Sequence, residues 1–236
     1  MRIGIVIPHY KKPEQLKKCL EAIEKARLPE GVGKEVAVID NNKDNIGFTK
    51  AVNQGLHTFK DSSYCVVLNQ DCYIKEDFFE KVIDFMEVHP NCFIAGVKQV
   101  SDQDEDVIIH GGCTMAFPEG RHIVGRKSKK NCAKNKQMPW VNGACLVVNQ
   151  KLLPFVGDMD ENYFLIGSDS DWCYTARMKG KEVWYIADAE VIHEGGVSTR
   201  KDSKKVEMIK LLDMTYFKDK WLEGGVFKEL HMERFG

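Results

Sequence analysis

The sequence lacks the short motifs that mark the commoner nucleotide and hydrolytic sites. No GxGxxG follows the first apolar run, and GxxxxGK[ST], GxSxG and HExxH are absent, which removes the usual dinucleotide, P-loop, hydrolase and zinc-protease readings. The eight cysteines form no CxxC pair; most sit within apolar runs, which predicts reduced thiols in the core of a cytoplasmic protein rather than a disulfide framework. No apolar run approaches the roughly 20 residues of a membrane-spanning helix. The opening RIGIVIP (2–8) meets charged residues at once, so it reads as a strand and not as a signal peptide. The expected location is therefore cytoplasmic, with peripheral contact with a membrane left open. Nor is there an excess of either charge, since 34 Lys and Arg face 35 Asp and Glu. Net charge gives no reason to expect nucleic acid as a partner, and any anion site must be local.

What is present is an ordinary composition for one globular α/β domain of 236 residues, 43% hydrophobic and 29% charged. Residues 2–8, 35–40 (EVAVID) and 64–68 (YCVVL) are short β-rich runs. Between them lie PEQLKKCLEAIEKA, with Leu16, Leu20, Ile23 and Ala26 at helical spacing, and a second helical stretch over 47–60. Near-continuous apolar strands alternating with helices predict a mostly parallel sheet covered on both faces. EDFFEKVIDFMEV and CFIAGV extend the rhythm. Residues 98–138 are polar, with short strands such as DVIIHGG and CTMAF, and the basic run GRKSKKNCAKNKQ reads as a solvated loop. WVNGACLVVN and EVWYIADAEVIHEGG read as strands, and helical spacing returns from Ser203 to about Trp221.

Four polar clusters fall at carboxyl ends of these strands, where open parallel sheets collect ligands. Pro8, His9 and Tyr10 end the first strand. Asp40 ends the second, followed by Asn42 in NNKDNIGF; a carboxylate there suits a base or ribose and equally suits capping the next helix. Lys50, Asn53 and Gly55 in that helix are candidates to face a phosphate, although most surface lysines are simply solvated. Asn69, Gln70 and Asp71 follow VVL, where Asp71 suits a hard divalent ion and Asn-x-Asp equally suits a turn. The last cluster pairs His193 with FLIGSDSDWCYTARMKG, which carries Asp169 and Asp171. If a helix begins near Ser170, one aspartate is its cap and the other is free for chemistry; spacing alone does not choose. A lone histidine such as His193 is more often structural than a ligand. Trp172 and Tyr174 are able to stack on a sugar, with helix packing as the plainer role.

IVIPHYKKPEQLKKCLEAI, VIDNN, NIGFTKAVNQGL, VVLNQD, WVNGACLVV, DENYFLIGSDSDWCYTARMKG and AEVIHEGG resemble, in order and spacing, the family 2 glycosyltransferases of GT-A fold, and within them the rhamnosyltransferase-like branch. The resemblance runs from Arg2 to Ser198. It implies a single GT-A domain over 1–236, with a nucleotide-binding half (1–97), an acceptor-binding half (98–200) and a C-terminal helix and tail (201–236). It also implies inverting transfer from a UDP- or dTDP-linked sugar to a saccharide or other hydroxyl acceptor, assisted by Mg²⁺ or Mn²⁺. Pro8, His9 and Tyr10 match the segment bordering the base, and Asp40 the residue that recognises it. Asn69, Gln70 and Asp71 match the DxD-type motif, Asp71 being its metal end. His193 matches a histidine that joins the metal, and Asp169 the catalytic base, with Asp171 in support.

Three departures accompany the match. The segment between DNN and NIGF is short, Asn69 replaces the first carboxylate of DxD, and Ser168 stands where a Glu precedes the base. The last supports an alternative, a nucleotide-sugar-binding module impaired in turnover. A sugar-1-phosphate nucleotidyltransferase ranks below both, because HYKKPEQ has no glycine for the expected phosphate loop.

Overall fold

The computed structural model describes residues 1–114, 121–127, 132–194 and 204–223. The elements in chain order are β1 (Arg2–His9), α1 (Pro13–Lys25), β2 (Gly33–Asp40), α2 (Gly47–Thr58), β3 (Tyr64–Leu68), β4 (Cys72–Ile74), α3 (Phe78–Val88) and β5 (Cys92–Ser101). There follow β6 (Val107–His110), β7 (Cys113–Thr114), β8 (Arg121–His122), β9 (Gly125–Arg126), β10 (Lys136–Gln137) and β11 (Cys145–Asn149). The last are α4 (Leu153–Val156), α5 (Ser168–Met178), β12 (Glu182–His193) and α6 (Lys204–Lys218), which runs into a π-helical turn at Asp219–Glu223. Parts of CTMAF, of the basic run and of HEGG, the first residue of the expected C-terminal helix and the tail lie outside the described residues.

The main sheet runs β10-β12-β5-β11-β3-β1-β2. β1 pairs in parallel with β2 and β3, and β5 with β12, while β11 is antiparallel to both β3 and β5. Five strands therefore share one direction and β11 opposes them from within. The period-2 alternation of a strand divides the core. Ile3, Ile5 and Ile7 of β1 pack with Cys19 and Ile23 of α1 and with Phe78, Phe79 and Val82 of α3, whereas Val6 packs with α2 and the α5 side chains Trp172, Cys173 and Tyr174. Each fully buried aliphatic contributes roughly 1.5–3 kcal/mol relative to exposure. Close packing of α2 on β1 depends on Gly55, where a Cβ would meet Val6 Cγ1 at 2.1 Å.

Coverage on both faces fails at the edge. Val36 and Val38 of β2 are 40% and 37% exposed, outside the apolar cluster that α1 forms with β1 and β3, and α1 meets β2 through polar contacts of Lys34 with its last carbonyls. All eight cysteines are free and buried. No described helix is long and apolar enough to cross a membrane.

Candidate active site

The carboxyl ends of β1 and β3, the amino end of β11 and the start of α5 surround a cavity of about 390 Å³. Of the residues singled out in the sequence, Pro8, Tyr10, Asn69, Gln70, Asp71, Asp169 and His193 line it. Parallel β1 and β3 end side by side, so the residues that follow them converge although 60 positions apart. Gln70 ties them together: its Oε1 meets His9 Nδ1 at 2.6 Å and accepts the Tyr10 N–H at 3.0 Å. His9 is thereby a support beneath the cavity and does not line it.

Other residues fall elsewhere. Asp40 is exposed and accepts the backbone and side-chain N–H groups of Asn42, which hold its carboxyl below the usual range. Asn42 in turn accepts from the Lys11 N–H at 2.6 Å, so the Asp40–Asn42 turn braces the β1–α1 loop outside the cavity lining. That loop carries Lys11 and Lys12 in the left-handed region, φ 56° and 58°, which non-glycine residues seldom occupy. Lys50 is exposed and does not line the cavity. Asn53 and Gly55 do not face a phosphate: Asn53 is buried between Met159 and Glu161, and Gly55 lies against Val6.

The two aspartates of α5 part company. The helix begins at Ser168, two residues before the sequence expectation, and its cap position is Gly167 at φ 84°. Neither aspartate is the cap. Asp169 points to the cavity, where Oδ2 accepts the Gly143 N–H at 2.6 Å and Oδ1 the Ser170 N–H at 2.9 Å. Burial raises its carboxyl above the ordinary value, and those two amides oppose the shift. Gly143 leaves room for this contact: a Cβ would stand 3.1 Å from Asp169 Oδ2, close enough that the carboxylate would have to give by a few tenths of an ångström. Asp171 turns into the core, where Oδ1 meets Lys220 Nζ at 2.7 Å, Trp221 Nε1 at 2.7 Å and the Tyr163 hydroxyl at 3.1 Å. Trp172 and Tyr174 are also buried, and neither lines the cavity.

Asp71 and His193 meet across the β4–β12 ladder, Oδ1 to Nε2 3.6 Å. His193 Nδ1 lies 2.9 Å from Gln99 Oε1; with the proton on Nδ1, Nε2 presents a lone pair toward Asp71, the arrangement that metal-binding histidines use. No Lys or Arg pairs with Asp71 among the described residues. Cys72 adjoins the pair, but burial drives its thiol far up, with Asp71 adding to the shift, which suits an inert core thiol. One carboxylate and one imidazole fit a hard divalent ion that takes its remaining ligands from phosphate and water.

Several contributors carried no sequence signal that was used. Asn41 lines the cavity with its buried Oδ1 unpartnered. Gln99 joins the metal pair to the opposite wall by donating to Asn142 Oδ1 at 3.0 Å. Residues 140–144, predicted as the start of a strand, are irregular with a turn at Gly143 and Ala144, and β11 begins only at Cys145. The Asn142-Gly143 dipeptide was the available signal for that turn. His110 and His122 approach each other at 2.9 Å between their Nδ1 atoms, and burial lowers both imidazoles.

Comparison with known proteins gives the family and the fold. Residues 26–210 match the family model described as glycosyltransferase like family 2. Two curated relatives, N-acetylglucosaminyl-diphospho-decaprenol L-rhamnosyltransferases of two Mycobacterium tuberculosis strains, are each 36% identical over 184 residues, covering 67% of this chain and 59% of theirs. The chain thus spans less than two thirds of the length of these relatives. Among solved structures, GalNAc-T7 with UDP, GalNAc and Mn²⁺ superposes at TM-score 0.63 with 11% identity, covering 97% of this chain and 54% of that one. S. aureus TarS 1-349 in complex with UDP-GlcNAc superposes at 0.56 with 13% identity, covering 98% and 72%. At such identities the likeness establishes the fold, a GT-A-like single α/β domain with a long C-terminal helix. By the extent of the model match and by its curated relatives, the chain belongs to glycosyltransferase like family 2.

Proposed function

We propose that the chain transfers a sugar, with inversion, from a UDP- or dTDP-linked donor to a hydroxyl of a saccharide acceptor. The observation that carries this is the division of labour around one cavity: Asp71 and His193 face it from one side and Asp169 from another, and no Lys or Arg lines it among the described residues. A donor diphosphate bound there needs its charge balanced, and Mg²⁺ or Mn²⁺ held by Asp71 and His193 would stabilise the charge that builds on the departing diphosphate.

The chain's own residues do the rest. Asp169, fixed by the amides of Gly143 and Ser170, accepts the acceptor hydroxyl proton as the new C1–O bond forms. The old bond from C1 to the phosphate oxygen breaks, and its electron pair leaves with the nucleoside diphosphate. Pro8, Tyr10 and Asn41 border the nucleotide end of the cavity, with Asp40 and Asn42 bracing it from outside. Asp171 supports α5 and takes no part in the proton transfer.

The curated relatives are named for L-rhamnose transfer to N-acetylglucosaminyl-diphospho-decaprenol. A deoxysugar donor and an N-acetylglucosaminyl diphosphate lipid are accordingly the first pair to try. Such an acceptor would bring the chain to a membrane surface from the cytoplasmic side. The test is release of nucleoside diphosphate from UDP- and dTDP-sugars with Mn²⁺, alongside calorimetric binding of UDP and dTDP. Turnover that survives Asp169→Asn undiminished would remove Asp169 as the base. Ser168, buried at the first turn of α5 and lining the cavity where a carboxylate is usual, favours one second reading, a module that binds nucleotide-sugar without turnover. Tight nucleotide binding with no release from any donor would select it.

A further inference from the structure

We propose that His122 and Trp140 form a subsite that donates two ring N–H groups to oxygens of a neutral, hydroxylated acceptor ring, and that His110 is the positioning residue that holds His122 in the donor tautomer. The acceptor role rests on the glycosyl-transfer reading above; the tautomer does not.

The tautomer follows from one backbone amide. His110, at the end of β6, is 1% exposed, and its Nε2 accepts the Asn142 N–H at 3.4 Å. A neutral imidazole carries one proton, so in His110 that proton is on Nδ1. His110 Nδ1 lies 2.9 Å from His122 Nδ1 and donates to it. His122 Nδ1 is then an acceptor and its single proton sits on Nε2. Protonating His122 at Nδ1 would set two N–H groups head-on across 2.9 Å. His122 is therefore a fixed, uncharged donor, presented by the β7–β8 ribbon in which it pairs with Cys113.

His110, Cys113 and His122 also bring ligand atoms within 4.8 Å of one another, which invites a metal. A metal on His110 Nδ1 would force the proton onto Nε2, donor against donor with the Asn142 N–H. The hydrogen-bond relay satisfies both nitrogens of His110 and Nδ1 of His122, and the metal does not.

Trp140 supplies an independent observation. It is 2% exposed, yet its Nε1 is buried with no hydrogen-bond partner, which is unfavourable if nothing accepts from it. Its ring meets His122 edge-on, centroids 5.2 Å apart at 80°, and both residues line the cavity with Asp169. Two neutral donors beside a carboxylate match the chemistry of a hydroxyl, which accepts from N–H while donating to carboxylate. They match an anion poorly, because no cationic side chain lines the cavity among the described residues.

The test uses the full chain labelled with ¹⁵N. Long-range imidazole spectra of the free protein are expected to give the Nδ1–H tautomer for His110 and Nε2–H for His122. The opposite tautomer at His122, or its loss from the spectrum on adding one equivalent of Zn²⁺ with metal retained, overturns the relay. Protein loaded with UDP and Mn²⁺ is then titrated with methyl glycosides of glucose, galactose and N-acetylglucosamine. At least one is expected to shift both His122 Nε2–H and Trp140 Nε1–H. The loading is repeated with dTDP. If UDP or dTDP perturbs the cavity resonances and no glycoside moves either N–H in that loaded protein, the subsite is wrong; if neither nucleotide perturbs anything, the glycosyl-transfer reading falls and the acceptor role falls with it, leaving the tautomer result to stand by itself. His122→Ala should weaken glycoside binding at least tenfold with UDP affinity unchanged, and His122→Gln, which keeps an N–H donor, should recover part of it. An equal loss of UDP affinity would mark His122 as merely structural.

Discussion

The cavity and the C-terminal strap behind it are both rich in carboxylates, and they treat them in opposite ways. In the strap, Asp171 meets Lys220, Trp221 and Tyr163; Asp160 takes Lys220 and the Tyr216 hydroxyl, each at 2.8 Å; and Asp213 accepts the N–H groups of Phe164, Leu165 and Ile166 within 3.0 Å. Each of these three carboxylates has a cation or several donors. In the cavity, Asp71 faces a histidine and Asp169 holds two backbone amides, with no cation on either among the described residues. Satisfied carboxylates hold a structure together, whereas carboxylates that face a cavity with no cation beside them are available to a metal or a proton. The two regions are joined, since residues 164–166 line the cavity from one side and are gripped by Asp213 from the other.

Exchanging the two aspartates of α5 tests that contrast most severely. Asp169→Asn is expected to lower donor turnover roughly 10²–10⁴-fold with little change in thermal midpoint, read by nucleotide release and calorimetry. Asp171→Ala should do the reverse, costing about 2–3 kcal/mol in denaturant unfolding while leaving cavity chemistry to the folded fraction. That figure sits at the low end for a broken buried pair, because the Lys220 side chain is 30% exposed. Comparable activity losses per folded molecule in the two variants would erase the distinction.

On the cavity side, Gln99→Leu removes the partner of His193 Nδ1 and should weaken Mn²⁺ binding about 10–100-fold, measured by paramagnetic titration. An unchanged affinity would mean that His193 does not hold the ion. On the strap side, burial works against ionised Asp160, yet Lys220, Asn162 and Tyr216 hold its carboxyl down to about 2. A carboxyl depressed in the folded state stabilises above its unfolded value, about 3.9, and loses that contribution as pH falls to about 2. Acid titration should therefore loosen the strap in this window, seen as rising Trp221 exposure in fluorescence, and Asp160→Asn should flatten the response. The smallest expected effect is at Asp169, whose carboxyl is raised by burial. Turnover that needs it ionised should fall on the acid side at a pH above the ordinary aspartate range, and an acid limb at the ordinary value would argue that the site is wetter than its geometry.

The contrast also marks how far local rules reach. Near-continuous apolar strands and amphipathic helices made β1, β2, β3 and β5 with α1 to α3 readable to within a few residues, because each buries a face its own spacing defines; the three-residue β4 is too short to show a period. Clusters at the carboxyl ends of β1 and β3 were readable for the same reason. Asn53 and Gly55 were misplaced because helical spacing says which residues share a face and not which face meets the core. Trp140 and Asn142 were taken for strand because apolar content over 140–149 masked an Asn-Gly turn.

By itself the sequence determined the order of strands and helices, their apolar faces and the two ends of the site, since propensity and period act between near neighbours. Only the tertiary structure decided which of Asp169 and Asp171 faces the cavity. They lie two residues apart on one helix, where spacing places them on different faces without naming the environments. The difference came from partners far along the chain: Gly143 at one face, Lys220 and Trp221 at the other. The tautomer of His122 depends likewise on the Asn142 amide acting through His110, a chain of contacts that no local pattern encodes.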